Sequence, residues 1–289
     1  MDVLQCLSYE SMMGERGLKL CFGNYACIHA MLFLSLSSVV GAAETRTYPK
    51  SPRNGGVYVV AHRGAHQEIP ENTREAYQKA IDLGCDFVEV DVRTTKDGKF
   101  VSIHNATIDA YVENRTGRVE DLTLVELRSL DIGSRVGDRW KGTQIPTFEE
   151  ILALCKGKIG IYLDLKDAPV SELMPIVKRF DMESEIIWYA GSRSLEEVIR
   201  LSKTSIPMPD PGAERALPRL IERFHPTIIA ATWGNYSPSF VKTCHDAGSL
   251  VIVDESDPSC WEDAVAWGSD GIQTDHPERL IAYLQQLDR

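Results

Sequence analysis

The chain has 289 residues, 43% of them hydrophobic and 25% charged, and a net charge of −11. Such a composition supports a globular core and excludes a disordered or collagen-like chain. The acidic balance, without any Lys/Arg cluster, argues against nucleic acid or a polybasic membrane contact.

In chain order, the first 43 residues stand apart. Arg16 and Lys19 precede an uncharged stretch from Leu20 to Ala43 with the apolar centre AMLFLSLSSVVGAA. A basic flank, a short apolar run and the small residues Gly41, Ala42 and Ala43 are the marks of a secretory signal, cleaved after Ala42 or Ala43. Left uncleaved, the segment is a membrane anchor, though it is short and Ser-rich for a span. Met13 and Met31 are alternative starts. The expected division is a signal or anchor at 1–43, a short linker at 44–56 and one domain at 57–289, with export to a periplasm or the medium. Beyond the signal lie Cys85, Cys155, Cys244 and Cys260. Without C-x-x-C spacing they do not suggest zinc; disulfides and buried thiols are both open.

From Val57 onward, short apolar runs alternate with helical periodicity. The predicted strands are 57–62, 87–92, 100–104, 159–165, 185–190, 206–208, 227–231, 250–253 and 271–274. Between most of them lie helical patterns. REAYQKAIDL ends at Gly84, a C-cap residue. Capping boxes open TLVELRSL (Thr123 and Glu126) and TFEEILALC (Thr147 and Glu150). PSFVKTCHDAG and PERLIAYLQQL complete the series. This alternation predicts an α/β fold with a parallel sheet. No Gly-rich dinucleotide fingerprint follows the first strand, and the size fits a closed TIM-type (β/α)8 barrel as a single domain. Nine strands compete for eight places, and 206–208 or 227–231 is expected to be accessory. Residues 105–146 should form an excursion over one end.

In such barrels chemistry collects at the C-terminal ends of the strands. The first predicted strand ends at His62, Arg63 and Gly64. The second carries Glu89 and Asp91, which period-two geometry puts on one side. The third ends at His104, and the fourth carries Asp164 and Lys166. Buried together, such groups must pair with one another, a metal or a ligand. Glu89, Asp91 and Asp164 make an oxygen-rich site for a hard divalent cation, Mg²⁺ or Ca²⁺. Two histidines suit acid and base work near neutral pH. Arg63 and Lys166 supply positive charge for an anionic substrate. The combination suits phosphoryl transfer. His66 stays open, whereas His225, His245 and His276 read as structural or solvated.

The stretches AHRG (61–64), PENT (70–73), EVDV (89–92), DGKFVSIH (97–104), IPTFEEIL (145–152), YLDLK (162–166) and DGIQTDHPERL (270–280) resemble the glycerophosphodiester phosphodiesterase family, in order over roughly residues 57–287. The resemblance implies a TIM-type barrel that hydrolyses small glycerophosphodiesters to sn-glycerol 3-phosphate and an alcohol with a divalent cation. No stable protein partner is expected. Carried over by position, His62 and His104 would be the acid/base pair. Glu89, Asp91 and Asp164 would be metal ligands, and Arg63 and Lys166 would face the phosphate. Asn72 would bond free helix N–H groups, and Glu71 would lie near the metal or fix its loop. Three positions depart from the family pattern. Asp164 stands where Glu is usual, Asn105 follows the second histidine where Asp is usual, and VIVDES (251–256) replaces an aromatic stretch, leaving Trp233 to supply a substrate wall. The departures keep two alternatives open. One is a cyclising phospholipase D-type lyase acting on lysophospholipids; the other is a non-catalytic barrel that binds phosphorylated ligands.

Overall fold

The computed structural model describes residues 47–255 and 257–287; the signal or anchor expected at 1–43 lies outside them. The strands are β1 (Tyr58–Ala61), β2 (Phe87–Thr94), β3 (Phe100–Ser102), β4 (Gly160–Leu165), β5 (Ile186–Tyr189), β6 (Ile206–Met208), β7 (Ile228–Thr232), β8 (Leu250–Asp254) and β9 (Gly271–Thr274). Eight of them form a parallel sheet in the order β6-β5-β4-β2-β1-β9-β8-β7. The Ala230 N–H donates to the Pro209 carbonyl at 3.0 Å, linking the β6 and β7 edges and nearly closing a barrel.

The accessory strand is not the one expected. Both 206–208 and 228–232 belong to the barrel, and β3 leaves it, pairing antiparallel with β2. The reason is connection length. A parallel pair needs a crossover of about a dozen residues or more, whereas residues 95–99 make only a tight turn, closed by the Thr95 N–H on the Lys99 carbonyl at 2.8 Å.

Each barrel strand is followed by a helix on the outside. These are α1 (Arg74–Leu83), then, beyond the short α2 (Leu124–Arg128) of the excursion, α3 (Phe148–Cys155), α4 (Val170–Arg179), α5 (Ser192–Leu201), α6 (Leu217–Phe224), α7 (Pro238–Asp246), α8 (Trp261–Ala266) and α9 (Pro277–Leu287). The capping signals hold. Gly84 closes α1 in a left-handed conformation, and reciprocal capping boxes open α2 and α3. Among the described residues no helix is long and apolar enough to cross a membrane.

Strand alternation splits the core in two. Tyr58, Val60, Phe87, Tyr162, Ile187 and Ile252 fill the barrel interior, while Val59, Val88, Val90, Leu163 and Trp188 face the helices. The excursion brings a third core, including Ile103, Ile108, Tyr111 and Leu127. Among the described residues, Cys85, Cys155, Cys244 and Cys260 are buried and none is in a disulfide, so the thiol alternative holds there. The described part of the expected linker is fastened to the domain. Arg53 bonds the carboxylate of Asp86 and the carbonyls of Cys85 and Lys158.

Candidate active site

The inward positions of β2 and β4 put the acids together. Asp91 pairs in register with Asp164, and Glu89 lies two residues earlier on the same face. Ligand oxygens of Glu89, Asp91 and Asp164 all fall within 4.8 Å of one another. Glu89 and Asp91 are fully buried. Lys166 lies across the cluster, its Nζ 2.6 Å from Asp164 Oδ2 and 2.9 Å from Asp91 Oδ1. Burial, with the charges of Asp91 and Asp164, pushes the Glu89 carboxyl well above its usual range. Burial likewise raises Asp164 against the pull of Lys166. At Asp91 the opposing effects of the Lys166 ammonium and Asn72 outweigh burial, and the carboxyl is held low.

These residues fit a hard cation. The donor set is all oxygen, with the Glu89 and Asp91 carboxylates buried and that of Asp164 partly exposed. Asp91 Oδ1 makes no well-directed hydrogen bond despite its proximity to Lys166. Glu89, Asp91 and Asp164 are therefore the groups that would hold a divalent cation.

The turn after β1 explains His-Arg-Gly. Arg63 and Gly64 both have positive φ, 53° and 84°. This turn aims the Arg63 N–H at Glu89 Oε2, 2.7 Å away. The Arg63 guanidinium reaches Glu71 at 3.3 Å, and its Nε, 3.9 Å from Asp91, has no hydrogen bond. A Cβ on Gly64 would lie 2.8 Å from the Ala76 backbone. The glycine is thus required by its positive φ and by the close passage of α1. Gly64→Ala should destabilise the fold by about 2–4 kcal/mol, read as a lower urea midpoint with unchanged slope.

PENT is also reassigned in part. Thr73, not Asn72, caps α1, accepting from the Ala76 N–H. Asn72 is buried at positive φ. It donates to Asp91 Oδ2 at 2.7 Å and accepts from Tyr77 and Ser102. Asn72 therefore fixes a candidate ligand, while Glu71 ties Arg63 to Tyr111.

The two histidines enter from different directions. His62 follows β1, and its Nδ1 lies 2.7 Å from Asp275 Oδ1. His66 Nε2 lies 3.0 Å from that same oxygen. Hydrogen bonds from both rings hold the Asp275 carboxyl far below its usual range. His104 follows the antiparallel β3. Arg93 grips its carbonyl through Nε and Nη2 at 3.0 and 2.8 Å, and its Nδ1 lies 2.9 Å from Asn105 Oδ1. The ring is close enough to Asp91 and Asp164 for its charge to act on both. At the end of β8, Asp254 is pushed up by burial and feels the charge of His62.

Trp233 packs among other aromatic rings. Its ring stacks on Trp267 at 5.3 Å and packs on Tyr236 at 5.7 Å. Sequence reading missed Asp275, Arg93 and the bracing role of Asn72. The usable signal for Asp275 was its place one residue beyond the last strand.

The chain matches the glycerophosphoryl diester phosphodiesterase family over residues 62–188. It is 31% identical to a glycerophosphodiester phosphodiesterase of Caldanaerobacter subterraneus over 77% of this chain and 96% of that relative. It is 29% identical to one from Arabidopsis thaliana, over 79% and 74%. The crystal structure of a glycerophosphodiester phosphodiesterase from Agrobacterium tumefaciens superposes with a TM-score of 0.70 at 25% identity, covering 78% of this chain and 99% of that one. An Oleispira antarctica phosphodiesterase, solved with the product sn-glycerol-3-phosphate, has the same fold, with a TM-score of 0.72 at 22% identity over 80% and 97%. With a near full-length relative above 30% identity and a barrel of matching topology, the chain belongs to the glycerophosphodiester phosphodiesterase family and is a phosphoric diester hydrolase.

Proposed function

We propose that the protein hydrolyses glycerophosphodiesters to sn-glycerol 3-phosphate and an alcohol, using a divalent cation and two histidines. The observation that supports this reading is a three-carboxylate cluster on β2 and β4 together with two histidines, His62 and His104, each ring anchored through Nδ1 to an oxygen acceptor. Nδ1–H donation leaves Nε2 of each ring for the substrate. When bound by Glu89, Asp91 and Asp164, Mg²⁺ or Ca²⁺ would supply Lewis-acid neutralisation of the phosphate charge.

The anchors suggest a division of labour. Asp275 is a carboxylate and Asn105 a neutral amide. A positive charge formed on His62 is offset by its partner, which suits a base that takes a proton from the attacking hydroxyl or water. His104 has no anionic anchor, which suits the donor to the leaving alcohol. Lys166 and Arg63 hold the cluster in place and add positive charge at its edge. The Oleispira antarctica phosphodiesterase of the same fold was solved with the product sn-glycerol-3-phosphate, in keeping with a small glycerophosphodiester substrate. We further read the protein as exported, on the signal pattern at 1–43; N-terminal sequencing of the mature chain tests that reading.

Phosphorus NMR on the full chain tests the reaction. Glycerophosphocholine with Mg²⁺ or Ca²⁺ should yield glycerol 3-phosphate, and chelator should stop it. A cyclic phosphate persisting from lysophosphatidylcholine would instead establish the lyase. Unchanged spectra with a panel of glycerophosphodiester head groups would reject the proposal.

A further inference from the structure

The hydrolase reading accounts for His62 and Asp275 but leaves His66 without a task. His66 Nε2 and His62 Nδ1 converge on one oxygen, Asp275 Oδ1, at 3.0 and 2.7 Å. Their three ligand atoms lie within 4.8 Å of one another. This set differs in kind from the carboxylate cluster. Two imidazoles and one carboxylate favour a borderline transition metal, whereas three carboxylates favour Mg²⁺ or Ca²⁺. A tetrahedral ion with arms near 2.0–2.1 Å needs ligand edges of about 3.3 Å. The two contacts to Asp275, 2.7 and 3.0 Å, would have to open by about 0.6 and 0.3 Å to reach it. The side chains are accessible, with 24, 19 and 49% exposure for His62, His66 and Asp275, so solvent can supply a fourth ligand.

We propose that His62, His66 and Asp275 form an inhibitory site for a transition cation of the Zn²⁺ class. Binding displaces the proton that His62 Nδ1 shares with Asp275. The neutral ring then keeps its one N–H on Nε2, the atom turned to the substrate. So bound, Nε2 cannot accept a proton, and the ring cannot pass between its neutral and cationic forms. Metal at this site is therefore incompatible with acid or base work by His62. This consequence rests on the reading of His62 as catalytic; binding of the ion does not.

The test uses Co²⁺ as a spectroscopic probe, with saturating Mg²⁺ on the full chain. A four-coordinate nitrogen-rich site gives an intense visible band, whereas an octahedral oxygen site gives only a weak one. The intense band is expected in the wild type and in Asp164→Asn. In His66→Gln and Asp275→Asn the affinity should fall on the order of tenfold or more. Zn²⁺ should inhibit glycerophosphocholine hydrolysis in the wild type, and His66→Gln, referred to its own zinc-free rate, should need a correspondingly higher concentration. The site is disproved by a weak octahedral spectrum in the wild type. It is equally disproved by a band that survives both His66→Gln and Asp275→Asn, or that disappears in Asp164→Asn. An intense band without Zn²⁺ inhibition would keep the metal site and remove its link to catalysis.

Discussion

Replacing His62 with alanine should lower kcat on the order of 10²–10⁴-fold, and His104→Ala should do the same. Neither change should abolish folding. Both rings lie at the mouth of the barrel and are partly exposed, outside its packed interior. The two losses should not add. Once one proton-transfer partner is missing, the other has less transition-state charge to act upon, so the double variant should be only slightly slower than the worse single one. The anchors give a sharper test. Asp275→Asn keeps an oxygen near His62 but removes the charge that offsets an imidazolium, so it should cost kcat more than KM. Asn105→Asp places a carboxylate beside His104 and should change the pH–rate profile. Rates of His62→Ala and His104→Ala within tenfold of wild type, with saturating cation, would refute the acid/base assignment.

The barrel and much of its mouth were legible in the sequence because they depend on local rules. Period-two alternation placed Glu89 and Asp91 on one face, and capping residues marked both α2 and α3. Four things escaped. The status of β3 depended on the length of the 95–99 turn, not on its own apolar pattern. Asp275 reaches His62 only because β9 closes against β1, with Ala61 opposite Thr274, and no local pattern announces that adjacency. Trp233 looked available as an aromatic wall, but nothing in ATWGNYS reveals that Trp267 waits to stack on it. Asn72 misled for a related reason. Next to a helix start, an Asn reads as a cap, yet its amide serves a carboxylate on a neighbouring strand.

Chelator-stripped protein should lose stability as pH rises, and Mg²⁺ or Ca²⁺ should restore it. The sign follows from Glu89. Its folded carboxyl titrates well above the ordinary value, through burial first and then the charges of Asp91 and Asp164. The folded chain therefore keeps a proton that the unfolded chain releases near pH 4.3. The contribution of Glu89 to stability is fully present below that pH and is lost as pH rises through the raised value. Asp164 shifts the same way, while Asp91, held low by Lys166 and Asn72, stays ionised across this window. A cation replaces the proton as the partner of the buried charge, so its effect on Tm should be smallest where Glu89 keeps its proton and largest above the raised Glu89 value. Glu89→Gln should flatten the pH dependence of the stripped protein and blunt the cation response together. Asp91→Asn should cut kcat by at least on the order of 10²-fold and weaken the cation response without flattening the slope. Thermal melts at several pH values, with chelator and with cation, decide the matter. A Glu89→Gln variant with the full wild-type cation response would show that the ion sits elsewhere.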